Sequence, residues 1–216
     1  MYFSYGETET AYLRSKDRRL GAVIDRVGHI DRTVDDDLFS AVVHQIIGQQ
    51  ISTKAQQTIW RRMRDALGAV TPETVDGVET EALQSLGMSL RKAACIKDFS
   101  GKVTRGEFDL AAVERMSDAE AIAALSSLKG VGVWTAEMIL LFCLARPDVF
   151  SFDDLGIRRG LRMVYRRREI DRALFEKYRR RFSPYGSVAS LYLWAVSGGA
   201  LPELRDPAPK AVKKGK

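Results

Sequence analysis

Apolar residues recur three and four positions apart almost from end to end of this chain, and no run of strand length alternates apolar with polar. That period puts side chains on one face of an α-helix, whereas a half-buried strand needs a period of two. The fold class expected is therefore all-α. Helices are predicted over roughly 9–27, 37–50, 52–67, 79–85, 89–104, 109–114, 118–127, 133–145, 155–164, 171–182 and 185–198. Start signals agree with this pattern: Asp37 precedes Leu38, Phe39, Val42, Val43 and Ile46, while Thr71-Pro72 and Ser117-Asp118 open short helices. In each case a side-chain oxygen can take up an amide that the first turn leaves without a partner.

With 216 residues, 45% of them hydrophobic, the chain has enough material for a packed core in one helical unit or two small lobes. Cys95 and Cys143 are the only cysteines. Two thiols cannot build a four-cysteine zinc or iron-sulfur site, and both read as small core residues. His29 and His44 lack metal-ligand spacing, so no transition metal is expected. The first thirty residues lack the apolar core of a signal peptide, and no later stretch is apolar for long enough to cross a bilayer. A cytoplasmic protein without membrane contact is expected, nucleoid-associated in a bacterium or nuclear in a eukaryote. An excess of 34 basic over 28 acidic residues gives +6 and favours a polyanionic partner without naming one. Arg158, Arg159, Arg162, Arg166, Arg167 and Arg168 contribute to it, either as DNA contacts or as a solvated face. From 201 onward, LPELRDPAPKAVKKGK has almost nothing to bury and reads as a basic, disordered tail.

Two segments place a glycine-bearing turn between helices, at 83–96 and 125–140. In the second, Lys129-Gly130-Val131-Gly132 is followed by Val133, Trp134 and Thr135. Glycine permits positive φ and close backbone approach, and the first amides of the next helix can donate to a phosphate. Taken alone, the Gly-Val-Gly spacing fits an ordinary helical turn equally well. Asp154 stands where a further helix begins, and on spacing alone it reads as an N-cap.

The longer context is more specific. LKGVGVWTAEMILLFCLARPDVFSFDDLGIRRG, from Leu128 to Gly160, resembles the helix-hairpin-helix, Gly/Pro-rich loop and aspartate signature of the base-excision DNA glycosylase (HhH-GPD) superfamily. Together with LFSAVVHQIIGQQISTKAQQ from Leu38 and FSPYGSVASLYLW from Phe182, it is similar to the 3-methyladenine DNA glycosylase II branch. The resemblance spans about residues 9–200. It implies two helical lobes with a cleft between them, a terminal lobe from about 1–35 and 165–200 and a central lobe of about 36–164, followed by the tail at 201–216.

The resemblance also implies roles. Asp154 aligns with the catalytic carboxylate, leaving Asp153 as cap or spectator. Trp134 stands where bifunctional relatives resembling endonuclease III carry a nucleophilic lysine, which implies hydrolysis without strand cleavage. Trp134, Tyr185 and Trp194 become base-pocket candidates, although Trp194 in LYLWAV also reads as core. Gln50 and Ile51 match the wedge that fills the gap left by a flipped base, although their segment also reads as a plain helix-helix turn. Lys129, Gly130, Val131, Gly132 and Thr135 match the part that grips the DNA backbone. No cofactor is required, and the carbonyls of Leu128, Gly130 and Gly132 are those that hold a monovalent cation, K⁺ or Na⁺, in the family.

The implied activity is that of a DNA-3-methyladenine glycosylase, hydrolysing the N-glycosidic bond of 3-methyladenine or 7-methylguanine in double-stranded DNA, with the protein acting as a monomer. One carboxylate suits that chemistry. Cleavage builds positive charge on the sugar, which a fixed anion stabilises, and an alkylated purine is already cationic and leaves without a strong acid. A glycosylase for oxidised or deaminated purines, or a noncatalytic DNA-binding module, are the other readings. Asp154 speaks against the last, because a pure binder has no use for a carboxylate that repels phosphate.

Overall fold

The computed structural model describes residues 1–208. Thirteen helices form among these residues: α1 Glu7–Lys16, α2 Arg18–Val27, α3 Leu38–Gly48, α4 Thr53–Leu67, α5 Pro72–Asp76, α6 Thr80–Ser85, α7 Leu90–Thr104, α8 Leu110–Arg115, α9 Asp118–Ser126, α10 Val133–Phe142, α11 Leu155–Tyr165, α12 Arg172–Phe182 and α13 Gly186–Ser197. No strand forms among the described residues, in keeping with the expected all-α class. None of these helices is long and apolar enough to cross a membrane.

The chain divides into two compact units. The first comprises Met1 and Thr33–Ala145, and so contains α3 to α10. α3 runs through its core, with Leu38, Phe39, Ala41, Val42, Val43, Ile46 and Ile47 all buried. A helix with so wide an apolar face must be covered on several sides. Phe39 stacks on Phe99 of α7 with ring centroids 5.0 Å apart, and Phe108 meets Phe99 edge-on.

The second unit comprises Tyr2–Arg32 and Arg146–Lys216, with α1, α2 and α11 to α13. Its boundary at 145/146 corrects the expected one near 164/165. α11 belongs here because it packs along α13: a Cβ added at Gly160 would lie 2.9 Å from Leu193 Cα. No side chain fits there, so glycine allows two helix backbones to touch. Two further expectations are corrected in this unit. The predicted single helix over 9–27 breaks at Asp17, which has extended backbone and accepts the Arg19 and Leu20 amides at 3.0 Å each, capping α2. Residues 201–208 are also not a loose tail. Leu201 is buried, and Asp206 takes a two-pronged pair from Arg162 of α11 at 2.8 and 2.6 Å. The rest of the predicted tail lies outside the described residues.

Asp17 is buried and also receives Arg181 Nη1 at 2.5 Å. Asp17→Ala removes a cap and a partner at once, the guanidinium being part-exposed and partly compensated by water. The substitution is expected to lower the unfolding free energy by about 2 kcal/mol, measured by urea denaturation at neutral pH.

Candidate active site

In the second unit the segment 148–157 turns sharply into α11. Asp154 is the N-cap itself, and its Oδ1 accepts the Ile157 amide at 2.7 Å. The same oxygen accepts Trp194 Nε1 from α13 at 2.8 Å. Asp154 is only 8% exposed as a residue, and these donors and the positive end of α11 stand in for part of its hydration. Gly156 makes the arrangement possible, because a Cβ there would stand 2.7 Å from Trp194 Cδ1 and 3.1 Å from Asp154 Oδ1. Asp153 is exposed and does not cap the helix, so of its two expected roles the cap falls away. The cap reading and the functional candidate therefore fall on one side chain, Asp154.

Trp194, expected in a base pocket or in the core, is half-buried and hydrogen-bonded to Asp154. Tyr185 is also half-buried, with its ring edge-on to Tyr12 at 5.2 Å. Sequence reasoning missed what holds this turn. Asp148 Oδ2 accepts the Ser183 hydroxyl at 2.6 Å, and its Oδ1 accepts the Gly186 amide at 3.0 Å. An acidic residue directly after a proline offered no signal of a partner 35 residues away.

The arginines after Asp154 divide among several partners. Arg162 and Arg159 face Asp206, at 2.6 and 3.6 Å. Arg158, with Arg172, lies over the Phe152 ring at 4.9 and 4.8 Å from its centroid. Arg162 and Arg158 thus bind within the chain, where a DNA contact or a solvated face was expected, while the Arg159 side chain stays exposed.

In the first unit, α9 and α10 form the hairpin. Gly130 has φ +82°, and a Cβ there would meet Cys95 Sγ at 3.0 Å, so both conformation and space demand glycine. Gly132, the N-cap of α10, has an ordinary φ of −93° and nothing within 4 Å of an added Cβ. Its missing side chain leaves the start of α10 without a side-chain cap and open to an approaching group. Val133 and Trp134 in the first turn are 52% and 39% exposed. Thr135 is buried, so its side chain is not presented to solvent beside Val133 and Trp134. Lys129 is exposed and pairs with Asp98 at 2.7 Å, which lowers the aspartate's pKa and raises the lysine's.

The α3–α4 turn lies beside this hairpin. Gln49 Nε2 donates to Gly130 O at 2.7 Å, and Lys92 Nζ donates to Ile47 O and Gln49 O at 2.8 and 2.6 Å. Gln50 is exposed with φ +57°, Ile51 is 37% exposed, and Ser52 caps α4. A cavity of about 390 Å³ lies among Gln49, Gln50, Lys92, Cys95 and Gly130–Gly132. Lys92 is a residue that sequence reasoning overlooked, because a lysine in RKAAC on a helix looks like any solvated charge. The two cysteines differ in their settings. Burial pushes the Cys143 thiol up to about 12, whereas Cys95 borders the cavity.

Comparison with known proteins places this geometry in context. The HhH-GPD superfamily of base excision DNA repair proteins matches residues 43–184. DNA-3-methyladenine glycosylase 1 of Schizosaccharomyces pombe is 31% identical over 164 residues, which are 74% of this chain and 72% of the relative. A solved DNA-3-methyladenine glycosidase from Bacillus halodurans has a TM-score of 0.84 at 33% identity, covering 96% of this chain and 97% of that one. The S. pombe 3-methyladenine DNA glycosylase in complex with abasic DNA has a TM-score of 0.78 at 27% identity, covering 88% and 97%. Asp154, the hairpin and the α3–α4 turn all lie within the matched span, and the chain belongs to the HhH-GPD superfamily of base excision DNA repair proteins.

Proposed function

We propose that this protein is a monofunctional DNA glycosylase that hydrolyses the N-glycosidic bond of alkylated purines in double-stranded DNA, with Asp154 as its catalytic carboxylate. The observation that carries this reading is the nearly buried Asp154 carboxylate, oriented by Ile157 N and Trp194 Nε1, in a chain similar to proteins named 3-methyladenine glycosylases. Its fixed negative charge stabilises the oxocarbenium that forms as the cationic base departs, and it orients the attacking water. The Ile157 amide and the Trp194 indole N–H both meet Oδ1, so they hold the anion aimed before charge develops.

The hairpin supplies grip rather than sequence reading. Amides at the uncapped start of α10 donate to a phosphate, and Lys129 can exchange Asp98 for DNA because their pair is exposed. Gln50 and Ile51, exposed at the tip of the α3–α4 turn, fill the gap left by the flipped nucleotide. Trp134 offers an exposed aromatic face to a cationic base, a contact worth about 0.5–2 kcal/mol. If a monovalent cation binds at the hairpin, the carbonyls of Leu128, Gly130 and Gly132 would hold it and it would add positive charge facing the phosphate. Each already accepts one hydrogen bond, from Val131 N, Gln49 Nε2 and Ala136 N, so the ion would use their second lone pairs.

The purified protein is expected to release free 3-methyladenine or 7-methylguanine from methylated duplex DNA, detected chromatographically. Borohydride is expected to trap no covalent complex with that DNA, since position 134 carries an indole and not an amine. Release of oxidised or deaminated purines in place of methylated ones would reassign the substrate, and a trapped adduct would overturn the monofunctional reading.

A further inference from the structure

α3 ends at Gly48, and the chain must turn within four residues to begin α4. Its last carbonyls have no helical partner, and the turn contains no glycine after Gly48 to take the left-handed backbone found at Gln50. Such a conformation lasts only where neighbours impose it. The neighbours here come from α7. Lys92 reaches in and gives two protons to the carbonyls of Ile47 and Gln49, on either side of the helix end. One turn later on the same helix, Cys95 Sγ packs against the Gly130 α-carbon so closely that a Cβ would stand 3.0 Å from it. Gln49 closes the ring by donating its side-chain amide to Gly130 O. Two exposed loops, the turn at 48–52 and the hairpin at 128–132, are thus tied both to each other and to one face of α7. The Lys92 ammonium is partly withdrawn from water, which lowers its pKa and leaves the two carbonyls as the groups that hold its charge.

We propose that Lys92 is a positioning residue, which fixes the turn bearing Gln50 and Ile51 at a set distance from the phosphate-gripping hairpin and so governs base extrusion without touching the reacting atoms. The proposal rests on the glycosylase reading given above, but its first test does not use the reaction. In the free protein, amide hydrogen exchange over residues 46–53 is expected to quicken by about tenfold in Lys92→Met, with exchange in α10 unchanged. Lys92→Arg, whose guanidinium can donate to both carbonyls, is expected to restore protection.

On DNA, the probe is a duplex with 2-aminopurine beside a tetrahydrofuran abasic analogue, whose fluorescence reports unstacking whether or not any base is excised. Lys92→Met is expected to lose most of the wild-type fluorescence rise and to excise methylated purines about tenfold more slowly. Its affinity for undamaged duplex should stay within about twofold of wild type. Gln49→Ala cuts the second tie at a part-exposed side chain and should produce the same loss, which keeps the test available if Lys92→Met folds poorly. Wild-type exchange and fluorescence in both variants would overturn the proposal. So would a parallel loss of affinity for undamaged DNA, which would make Lys92 an ordinary phosphate contact. A wild-type protein that excises no methylated base yet shows these exchange and fluorescence differences would sink the substrate reading while leaving the brace intact.

Discussion

Asp154→Asn is expected to slow single-turnover release of 7-methylguanine by about a thousandfold or more, with affinity for duplex DNA kept or improved. The structure makes this substitution a clean test of charge. The Ile157 amide and the Trp194 indole N–H meet Oδ1, and an asparagine carbonyl oxygen in that place still accepts them. The α11 cap and the contact with α13 therefore survive, and asparagine is as good an N-cap as aspartate. What disappears is the negative charge that would face a developing sugar cation. The same charge repels phosphate, so its removal favours binding. The measurement is the excision rate on methylated DNA beside anisotropy with an abasic-analogue duplex. Asp153→Asn serves as the control, its side chain being exposed, and is expected to leave both quantities near wild type. Excision by Asp154→Asn at the wild-type rate would remove Asp154 from the chemistry. Loss of binding together with excision would reduce it to a structural cap.

Much of this molecule was legible in its sequence because helices announce themselves locally. Asp37, Thr71 and Ser117 cap helices where residue type alone suggested it, and the apolar spacing located nearly every segment to within a few residues. The helix break at Asp17 is an instructive miss. An aspartate inside an amphipathic run looks tolerable, and only Arg181, far along the chain, explains why it is buried there. Residues 201–208 show the same limit, since composition suggested a loose end while Asp206 had two arginines of α11 waiting for it. The candidate site divides likewise. Asp154, the hairpin glycines and the Gln50 turn follow from a contiguous motif. Trp194, Asp148 and Lys92 act through partners about 35 to 45 residues away, at distances where one sequence carries no pairing information. The glycines bridge the two cases, for Gly130, Gly156 and Gly160 each mark a place where a third element comes too close for any Cβ.

Trp194→Phe separates two roles that an indole can play. If Trp194 serves by stacking on a base, phenylalanine keeps a π-face and much of the activity. If it serves by orienting Asp154, phenylalanine removes the one group that matters, the Nε1–H held 2.8 Å from Oδ1. The geometry favours the second role, because that N–H is committed to the carboxylate and Gly156 is kept bare to admit the ring edge. A hydrogen bond to a charged group is worth about 1.5–3 kcal/mol, so the excision rate is expected to fall by about one to two orders of magnitude. Affinity for an abasic-analogue duplex should barely change, since that ligand has no base to stack and the charge of Asp154 remains. Trp194→Ala, which removes ring and N–H together, should lose at least as much rate and also some stability, because the half-buried ring fills space against α11. A Trp194→Phe protein with wild-type kcat and raised KM would return Trp194 to the base pocket. A fall in kcat alone, with KM and the thermal midpoint near wild type, would establish that the Trp194 indole N–H sets the aim of the catalytic charge.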